Sequence, residues 1–469
     1  MTEQPRTRQE LYERIRELGR EGFILEEMIR YGFWPAEGEM PEDPADEIRK
    51  RSEIQGELNK LRQENYLLQN ENAIRKQLLK ERLAESRRKR QETKERRERE
   101  KQEKAQAWQQ EKEHNIIYLG EEVSAGLNNT ESNQERLANY GLPLLNTAES
   151  IATAMGISVP ELRFLAFNRK TSLTSHYIRF KIPKKTGGER LISAPMPKLK
   201  QAQEWILHHI LEKLELHDAA HGFRQGHSIV SNAQPHLQAE IIINFDLKDF
   251  FPSIVYKRVK GLFRSFGYSE TAATILGLIC TEAETEKVEL DGQTYYVAVG
   301  DRHLPQGSPA SPAITNLLCR RLDKRLTKMA TEIGFTYTRY ADDLTFSTVT
   351  DNPRICNLLR RTESIVAHEG FTINEEKTRI MRKSRQQEVT GVVVNDHLNL
   401  DKKILKRFRA TLYQIEKDGL EGKSWGNSTN TLATIEGYAN FVAMVNPEKG
   451  AKFQAQIKRI KEKLSYQRN

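Results

Sequence analysis

Cysteine is scarce in this chain: only Cys280, Cys319 and Cys356 occur among its 469 residues. They lie far apart and form no Cys-x-x-Cys pair or Cys/His cluster, which argues against a disulfide framework and against a structural zinc site. Also missing are an apolar run of membrane-spanning length and, at the N-terminus, the order of charged, apolar and small residues in a signal peptide. We therefore expect a soluble protein of a reducing cytoplasm, with no membrane partner.

Charge, by contrast, is plentiful. Asp, Glu, Lys and Arg make up 30% of the chain, and the formal net charge is +9. A basic balance suits a partner rich in phosphate, although many soluble proteins are basic without binding nucleic acid. The length is sufficient for two to four domains with a sizeable core.

The first hundred or so residues differ from the rest. Apolar spacing in residues 8–34 predicts two short amphipathic helices that break near Gly19, so that residues 1–35 form a small helical module. An acidic run with prolines, residues 36–47, is typical of a linker.

A long charged helix is predicted over residues 46–112. Near its start, apolar and asparagine residues alternate by four and three, which is the heptad spacing of a coiled coil. These residues are Ile54, Leu58, Leu61, Asn65, Leu68 and Asn72. The pattern indicates a homo-oligomer through residues 46–80; the alternative is a lone helix packed on its own protein. From Lys80 to Lys104, twelve basic and seven acidic residues replace the seam, which is typical of a solvated helix and also fits an arm that binds RNA or a partner.

From about residue 135 the composition becomes globular. We expect two helices over residues 145–167, a strand hairpin over 177–195 and a helix over 198–214. Strands and helices then alternate irregularly, so residues 135–399 form a mixed core, whereas residues 400–469 are helical and rich in lysine and arginine. The fold class is therefore α+β, preceded by an all-α N-terminal extension.

Two segments place carboxylates beside apolar strands. In IIINFDLKDFFPSI (241–254) a strand ends at Asp246, and in TRYADDLTFS (338–347) Asp342 and Asp343 follow Tyr340 on a tight turn. If the two strands are neighbours in one antiparallel sheet, three carboxylates converge at its edge and cannot all stay ionised cheaply. Two Mg²⁺ ions remove that cost and support in-line phosphoryl displacement. Paired aspartates are also common in surface turns, but the flanking apolar strands favour a metal site.

These motifs resemble those of reverse transcriptases. YADD at 340–343 is similar to the catalytic box of that family, FDLKDFFPSI to its first aspartate motif, and LPQGSPASPAITN (304–316) to the segment that cradles template, primer and nucleotide. FKIPKKTGGERLISAP, HGFRQGHS and GFTINEEKTRI extend the resemblance to roughly residues 140–465. It implies a right-hand polymerase with fingers, palm and helical thumb.

The resemblance also implies roles for individual residues. Asp246, Asp342 and Asp343 would bind two Mg²⁺ ions, for which Mn²⁺ is a substitute, and Lys377 would protonate the pyrophosphate leaving group. Phe251 falls at the position that blocks a ribose 2′-OH and so selects deoxynucleoside triphosphates. The full set of nucleotide-binding residues implied by the resemblance is Lys184, Lys185, Arg190, Phe251, Gln306 and Gly307.

Two short elements narrow the resemblance to retron reverse transcriptases. Asn232 and His236 fit an NAxxH element of that group, and Val389-Thr390-Gly391 fits its VTG element. Retron enzymes bind a structured noncoding RNA, prime from the 2′-OH of a guanosine, and make single-stranded DNA branched from that RNA. These five residues, and the thumb residues Arg407, Arg409, Lys452 and Lys458, are therefore expected to contact RNA.

Retrons act in anti-phage defence with an effector protein encoded nearby, so the N-terminal extension is interpreted as an assembly element. Within the same enzyme class, a group II intron-like or defence-associated bacterial reverse transcriptase is the alternative. From another class, a non-catalytic RNA-binding scaffold would keep the fold, but it would gain nothing from clustering Asp246, Asp342 and Asp343.

Overall fold

The computed structural model describes residues 8–33, 50, 54, 57–58, 61–62, 73–184, 187–351, 353–426 and 430–466. By its internal contacts the chain divides into two compact units. One comprises Met1–Thr130 and Asn146–Asn168, and the other Glu131–Leu145 and Arg169–Asn469. The boundaries expected from the sequence, at residues 35, 46–112, 135 and 399–400, remain predictions.

Among the described residues, the α-helices are α1 (Arg8–Arg30), α2 (Ala73–His114), α3 (Gln134–Asn139), α4 (Ala148–Met155), α5 (Val159–Ala166), α6 (Pro197–His209), α7 (Ile229–Ala233), α8 (Tyr256–Phe266), α9 (Glu270–Cys280), α10 (Ser311–Leu318), α11 (Arg320–Glu332), α12 (Ile355–His368), α13 (Lys402–Asp418), α14 (Thr431–Val445) and α15 (Pro447–Tyr466). The strands are β1 (Thr171–Ser172), β2 (Tyr177–Pro183), β3 (Glu189–Pro195), β4 (Ile241–Asp246), β5 (Glu282–Leu290), β6 (Gln293–His303), β7 (Thr336–Tyr340), β8 (Asp343–Thr348), β9 (Arg379–Arg382), β10 (Glu388–Val389) and β11 (Val392–Val393). The α+β class and the helical N-terminal region are confirmed.

The N-terminal helices correct one expectation. α1 is a single helix that runs through Gly19, where a break was expected. A lone glycine costs a helix interior only about 1 kcal/mol, which the surrounding turns can absorb. α2 is largely exposed and carries i,i+4 ion pairs such as Arg88–Glu92, as expected of a solvated helix. The coiled-coil prediction for residues 46–80 lies mostly outside the described residues, since Asn65, Leu68 and Asn72 are not among them.

A four-stranded antiparallel sheet in the second unit has the order β7-β8-β4-β9. β4 is central, and its run of Ile241, Ile242, Ile243 and Phe245 is buried, because both faces of an inner strand are covered. The predicted hairpin over 177–195 is confirmed as β2 and β3, which pair from Tyr177–Pro195 to Pro183–Glu189.

The C-terminal segment is helical, as expected: α13, α14 and α15 share one buried cluster. Its centre is Phe408, whose ring meets those of Trp425, Tyr438 and Phe453 at centroid distances of 4.9, 4.6 and 5.1 Å. Within the part of the chain that the structure describes, no helix is both long and apolar enough to cross a membrane. Cys280, Cys319 and Cys356 are free thiols.

Candidate active site

Neighbouring strands bring the acidic segments together at one edge of the four-stranded sheet, the edge where β4 ends and β8 begins. β4 and β8 pair antiparallel, and their register sets Asp246 opposite Asp343. β7 and β8 form a hairpin whose last pair is Tyr340–Asp343, which leaves Ala341 and Asp342 as the two turn residues. The Leu247 amide donates to the Asp342 carbonyl over 3.0 Å. The condition on which the metal-site hypothesis depends, that the two acidic strands are neighbours, is met.

The turn has an unusual backbone that its surroundings fix. Ala341 has a φ of 56°, in the left-handed region. Gly222 lies so close that a Cβ added to it would be 2.6 Å from the Ala341 nitrogen. The Asn316 amide donates to the Gly222 carbonyl over 2.8 Å. Glycine is therefore required at position 222 for the HGFRQGHS segment to support the aspartate turn.

A buried ion pair supports the same turn from inside. Arg339 and Asp323 are both 0% exposed and form two hydrogen bonds, Nε to Oδ1 at 2.8 Å and Nη2 to Oδ2 at 2.7 Å. Nη1 of Arg339 donates to the Ala341 carbonyl at 3.1 Å and to Oδ1 of Asn316 at 3.0 Å. Tyr337 donates its hydroxyl to Asp323 over 2.9 Å. The motif match does not identify this network; the one signal for it is an acid at an apolar position of α11.

The site collects more negative charge than its own cations neutralise. Burial raises the pKa of Asp343 to about 7, and the charges of Asp342 and Asp246 add to the rise. The pKa of Asp342 is raised as well, by burial first and then by Asp246, while Arg190 and Lys377 oppose the shift. Carboxylates whose pKa values are raised in this way mark a site that would favour additional positive charge.

Asp246 is the carboxylate with a partner of opposite charge. Nζ of Lys377 lies 3.0 Å from both of its carboxylate oxygens. Nδ2 of Asn374 donates to Oδ2 over 3.3 Å, and the Asn374 amide donates to the Asp246 carbonyl over 2.8 Å. The structure thus brings Lys377 to the aspartates, as expected, and adds Asn374, which the sequence analysis did not single out.

The three aspartates fit the predicted metal site in their chemistry but do not form a ready cluster of ligands. In the described ranges, no three His, Cys, Asp or Glu side chains are arranged as a ready metal cluster. The donor set nevertheless fits a hard divalent cation, since it consists of carboxylate oxygens. Burial first, and then like-charge repulsion, raises the pKa values of Asp342 and Asp343, and such a cation would offset both effects. Two Mg²⁺ ions at Asp246, Asp342 and Asp343 remain a prediction.

Phe251, five residues after Asp246 in the chain, lies among other aromatic rings. Its ring centroid is 5.6 Å from that of Phe250 and 6.3 Å from that of Phe223. Phe250 is buried against Phe371, as expected of a core residue. Phe223 also lies 6.5 Å from the ring of Tyr340, directly before the aspartate turn. Phe223 lies in the segment HGFRQGHS, and the motif resemblance implies no role for it.

The other described residues that are predicted to bind nucleotide lie on the β2–β3 hairpin and in the loop before α10. Gly307 has a φ of 120°, and a Cβ there would be 2.9 Å from the Ser193 carbonyl oxygen. The Gln306 carbonyl accepts from the Ser193 amide over 2.7 Å. Glycine at position 307 thus permits the backbone to lie close to β3, whereas the motif resemblance had placed it against the nucleotide. Arg190 is exposed on β3, Lys184 is exposed at the end of β2, and Lys185 lies outside the described residues.

The NAxxH and VTG elements contact each other, and the histidine of the first is hydrogen-bonded to β7 and β8. Nδ2 of Asn232 is 3.4 Å from Oγ1 of Thr390. His236 is bound on both sides, Nδ1 to Ser347 Oγ at 2.6 Å and Nε2 to Thr338 Oγ1 at 2.7 Å. Burial, and then the charge of His221, lowers the pKa of His236 to about 3, so its ring is neutral.

This arrangement changes how the predicted RNA contacts are interpreted. Asn232, His236 and Val389 are each 0% exposed, so any effect that they have on RNA passes through the residues they hold in place. Thr390 and Gly391 form a turn with φ values of 47° and 84°, and Gly391 is exposed. On α13, Arg407 and Arg409 are both exposed, and the Arg407 guanidinium lies 5.3 Å from the Trp425 ring centroid.

The chain is similar to proteins of established family. The family model Reverse transcriptase (RNA-dependent DNA polymerase) matches residues 182–394. The retron Mx162 reverse transcriptase of Myxococcus xanthus is 43% identical over 71% of this chain and 70% of its own length. The retron Mx65 reverse transcriptase of that organism is 42% identical, over 67% and 72%. The retron Ec86 reverse transcriptase of Escherichia coli is 32% identical, over 71% and 94%. Among solved structures, a Candida tropicalis telomerase in complex with a fragment of telomeric RNA has a TM-score of 0.38 and 14% identity, over 63% of this chain and 55% of that one.

The matched family segment includes β4, β7 and β8, the strands that carry Asp246, Asp342 and Asp343. The similarity to the two Myxococcus proteins extends well beyond that segment in both chains. The chain therefore belongs to the retron reverse transcriptases, a group of RNA-dependent DNA polymerases.

Proposed function

We propose that this enzyme copies part of a cognate structured noncoding RNA into single-stranded DNA, starting from an RNA 2′-OH, so that DNA and RNA remain joined at a branch. The observation that carries the proposal is the contact of Asn232 with Thr390, which joins the two elements typical of retron enzymes. A general polymerase needs the aspartates but has no need of that pairing.

In the proposed reaction, the priming hydroxyl attacks the α-phosphate of a deoxynucleoside triphosphate and pyrophosphate leaves. Two Mg²⁺ ions, with Mn²⁺ as a substitute, would be held by Asp246, Asp342 and Asp343, and would supply hydroxyl activation and charge stabilisation. The buried ion pair of Arg339 and Asp323 keeps the Ala341 carbonyl, and with it the turn, in position. Lys377 orients Asp246 through its 3.0 Å contacts and presents an ammonium group that we assign to protonation of pyrophosphate.

Selection of the nucleotide is assigned to the residues around Phe251. Its ring would occupy the space that a ribose 2′-OH needs. Lys184 and Arg190 on the β2–β3 hairpin would contact the triphosphate as cations, and the effect of Arg190 on the pKa of Asp342 is consistent with a position facing the aspartates. Gln306 and Gly307 would line the pocket. Lys185 is assigned the same role as Lys184 from the motif alone.

RNA binding is assigned to the exposed cations of α13 and α15, with Arg407 and Arg409 on the first of these helices. Asn232, His236 and Val389 act by holding the Thr390–Gly391 turn against the sheet. The branched product would serve anti-phage defence together with an effector protein. Residues 1–112 are proposed as the assembly element, with self-association through residues 46–80.

The test is to purify the protein with the nucleic acid that it carries and to sequence both strands. After supply of deoxynucleoside triphosphates and Mg²⁺, treatment with a 2′,5′-debranching enzyme should release single-stranded DNA from a single RNA species. DNA that starts only at RNA or DNA 3′ ends, and that is unaffected by debranching, would favour the group II intron-like alternative. RNA binding without any DNA synthesis would favour the scaffold.

A further inference from the structure

Phe223 combines exposure with an unfavourable backbone conformation. Its aromatic side chain is 52% exposed, and its φ is 55°, in the left-handed region that bulky side chains rarely adopt. Neither property is expected of a residue that serves only to fill a core. Such strain persists where the surrounding structure determines the backbone, and it is concentrated at functional sites.

The backbone just before Phe223 is hydrogen-bonded to β7, the strand that leads into the catalytic turn. The His221 amide donates to the Arg339 carbonyl over 2.8 Å, and the Arg339 amide donates to the Ala219 carbonyl over 2.7 Å. Gly222 itself lies against Ala341, so that no side chain fits between them. The position of the Phe223 ring is therefore set by the same backbone that positions Asp342 and Asp343.

The Phe223 ring lies against Phe251 at an angle of 61°, in an edge-to-face arrangement, with the centroids 6.3 Å apart. Phe250, which is buried, meets Phe251 at 5.6 Å and 66°. Phe251 thus contacts two rings, the buried Phe250 and the exposed Phe223. If Phe223 were absent, the contact made by Phe250 would remain, but the ring of Phe251 would gain space in which to change rotamer.

We propose that Phe223 is a positioning residue for sugar selection: it braces Phe251 so that this ring cannot move aside when a ribose 2′-OH enters. The inference rests on the proposed function, in which Phe251 excludes the 2′-OH. The Phe251 ring acts as a gate only if moving it aside costs more free energy than the binding of a ribonucleotide would provide. Because Phe223 is held by the backbone next to the aspartates, its brace is fixed relative to the reacting groups.

The experiment measures kcat/KM for a deoxynucleoside triphosphate and for its ribonucleoside counterpart on one RNA template, and compares their ratio among variants. Phe251→Ala should lower the preference for deoxynucleotides by about 100-fold, and Phe223→Ala by about tenfold, with the value for the deoxynucleotide changed less than about threefold. Phe223→Leu should recover most of the preference, because it restores bulk beside Phe251. In the double variant, Phe223→Ala should add little to Phe251→Ala, since the brace has lost its target.

Phe223→Gly separates this role from folding. Glycine adopts a positive φ without strain, so this variant should melt no lower than Phe223→Ala while discriminating as poorly. Phe164→Ala, which removes a ring that is 47% exposed on α5, is the matched control and should leave discrimination unchanged.

Two outcomes would overturn the brace but not the gate. One is that Phe223→Ala lowers discrimination by the same factor in the Phe251→Ala background as in the wild type. The other is that Phe223→Ala weakens binding of template and primer and leaves discrimination unchanged, which would mean that Phe223 stacks on nucleic acid. Unchanged discrimination in Phe251→Ala would refute both the gate and its brace. An absence of DNA synthesis in the wild type, with its bound RNA present, would contradict the proposed function itself.

Discussion

The aspartates at the edge of the sheet and the buried residues next to them treat charge in opposite ways. At the edge of the sheet, Asp342 and Asp343 are held close to each other and to Asp246, and their pKa values are raised. In the interior, Arg339 meets Asp323 through two hydrogen bonds and His236 lies neutral between two hydroxyl groups. The interior is balanced, whereas the edge is left for ligands to balance. The sheet can present repelling carboxylates because the buried charges beside them, Arg339 and Asp323, neutralise each other.

Breaking the balanced interior should have the largest effect on stability. Arg339→Met leaves Asp323 buried without its cation, and we expect the free energy of unfolding to fall by about 3–5 kcal/mol, measured by urea unfolding. The double variant Arg339→Met/Asp323→Leu should recover much of that loss, because both charges are gone. It should still synthesise DNA poorly, since the Ala341 carbonyl has lost its donor. Full activity in the double variant would show that the ion pair serves the fold alone.

Removing a negative charge from the edge of the sheet should raise the stability of the protein. The folded-state pKa of Asp343, about 7, lies above the usual value for aspartate. The folded protein therefore binds more protons than the unfolded chain between pH 4 and 7, and stability falls as pH rises through that window. Asp343→Asn should remove this fall, worth about 1.4 kcal/mol per pKa unit, and raise the melting temperature at pH 8 without divalent cations. A lower melting temperature for Asp343→Asn would contradict the description of the edge.

His236 provides the acid-side counterpart. Its folded-state pKa is lowered to about 3, so its contribution to stability is fully present above the unfolded value near 6.5 and is lost as pH falls from there towards 3. His236→Gln should flatten the decline of stability in that range by up to about 1.4 kcal/mol per pH unit. His114→Gln, at an exposed histidine, is the control and should leave the slope as it is. Equal slopes for wild type and His236→Gln would refute the buried neutral state.

The smallest effect is expected at the surface of α2. Arg88 and Glu92 form an ion pair at 3.4 Å with most of both side chains in solvent, where water and salt screen the attraction. Arg88→Ala should leave the unfolding midpoint within experimental error at 0.15 M salt. A loss comparable to that of Arg339→Met would mean that α2 is buried in an assembly.

The sequence predicts those parts of the site that are local in the chain. The apolar run of Ile241–Ile243 and the turn residues of YADD are enough to predict β4 and the β7–β8 turn, because a hydrophobic run and a tight turn each have short-range causes. The pairing of β4 with β8 was only a condition of the metal-site hypothesis, and the structure meets it. The helices of residues 400–466 follow from periodicity in the same way. Gly19 was misjudged because a local breaker signal does not include the stability of the turns around it.

What the sequence could not supply are contacts between distant segments. The motif match assigned Asn232 and His236 to RNA, since a short pattern carries no information on burial. The structure buries both side chains completely. The pairing of Asp323 with Arg339, and the meeting of Phe223 with Phe251, join residues on separate elements, so that the sequence identifies neither partner. Lys185 and the seam of residues 46–80 keep their predicted roles as predictions.

The most direct test of the account is single-nucleotide incorporation on an RNA template by the wild type, Asp343→Asn and Asp342→Asn, each purified with its RNA and supplied with Mg²⁺. The account predicts synthesis by the wild type and a loss of at least about 1,000-fold in both variants, while RNA binding stays within about twofold, since neither aspartate is assigned an RNA contact. Synthesis at near wild-type rates by either variant would contradict the assignment of the sheet edge as the polymerase centre.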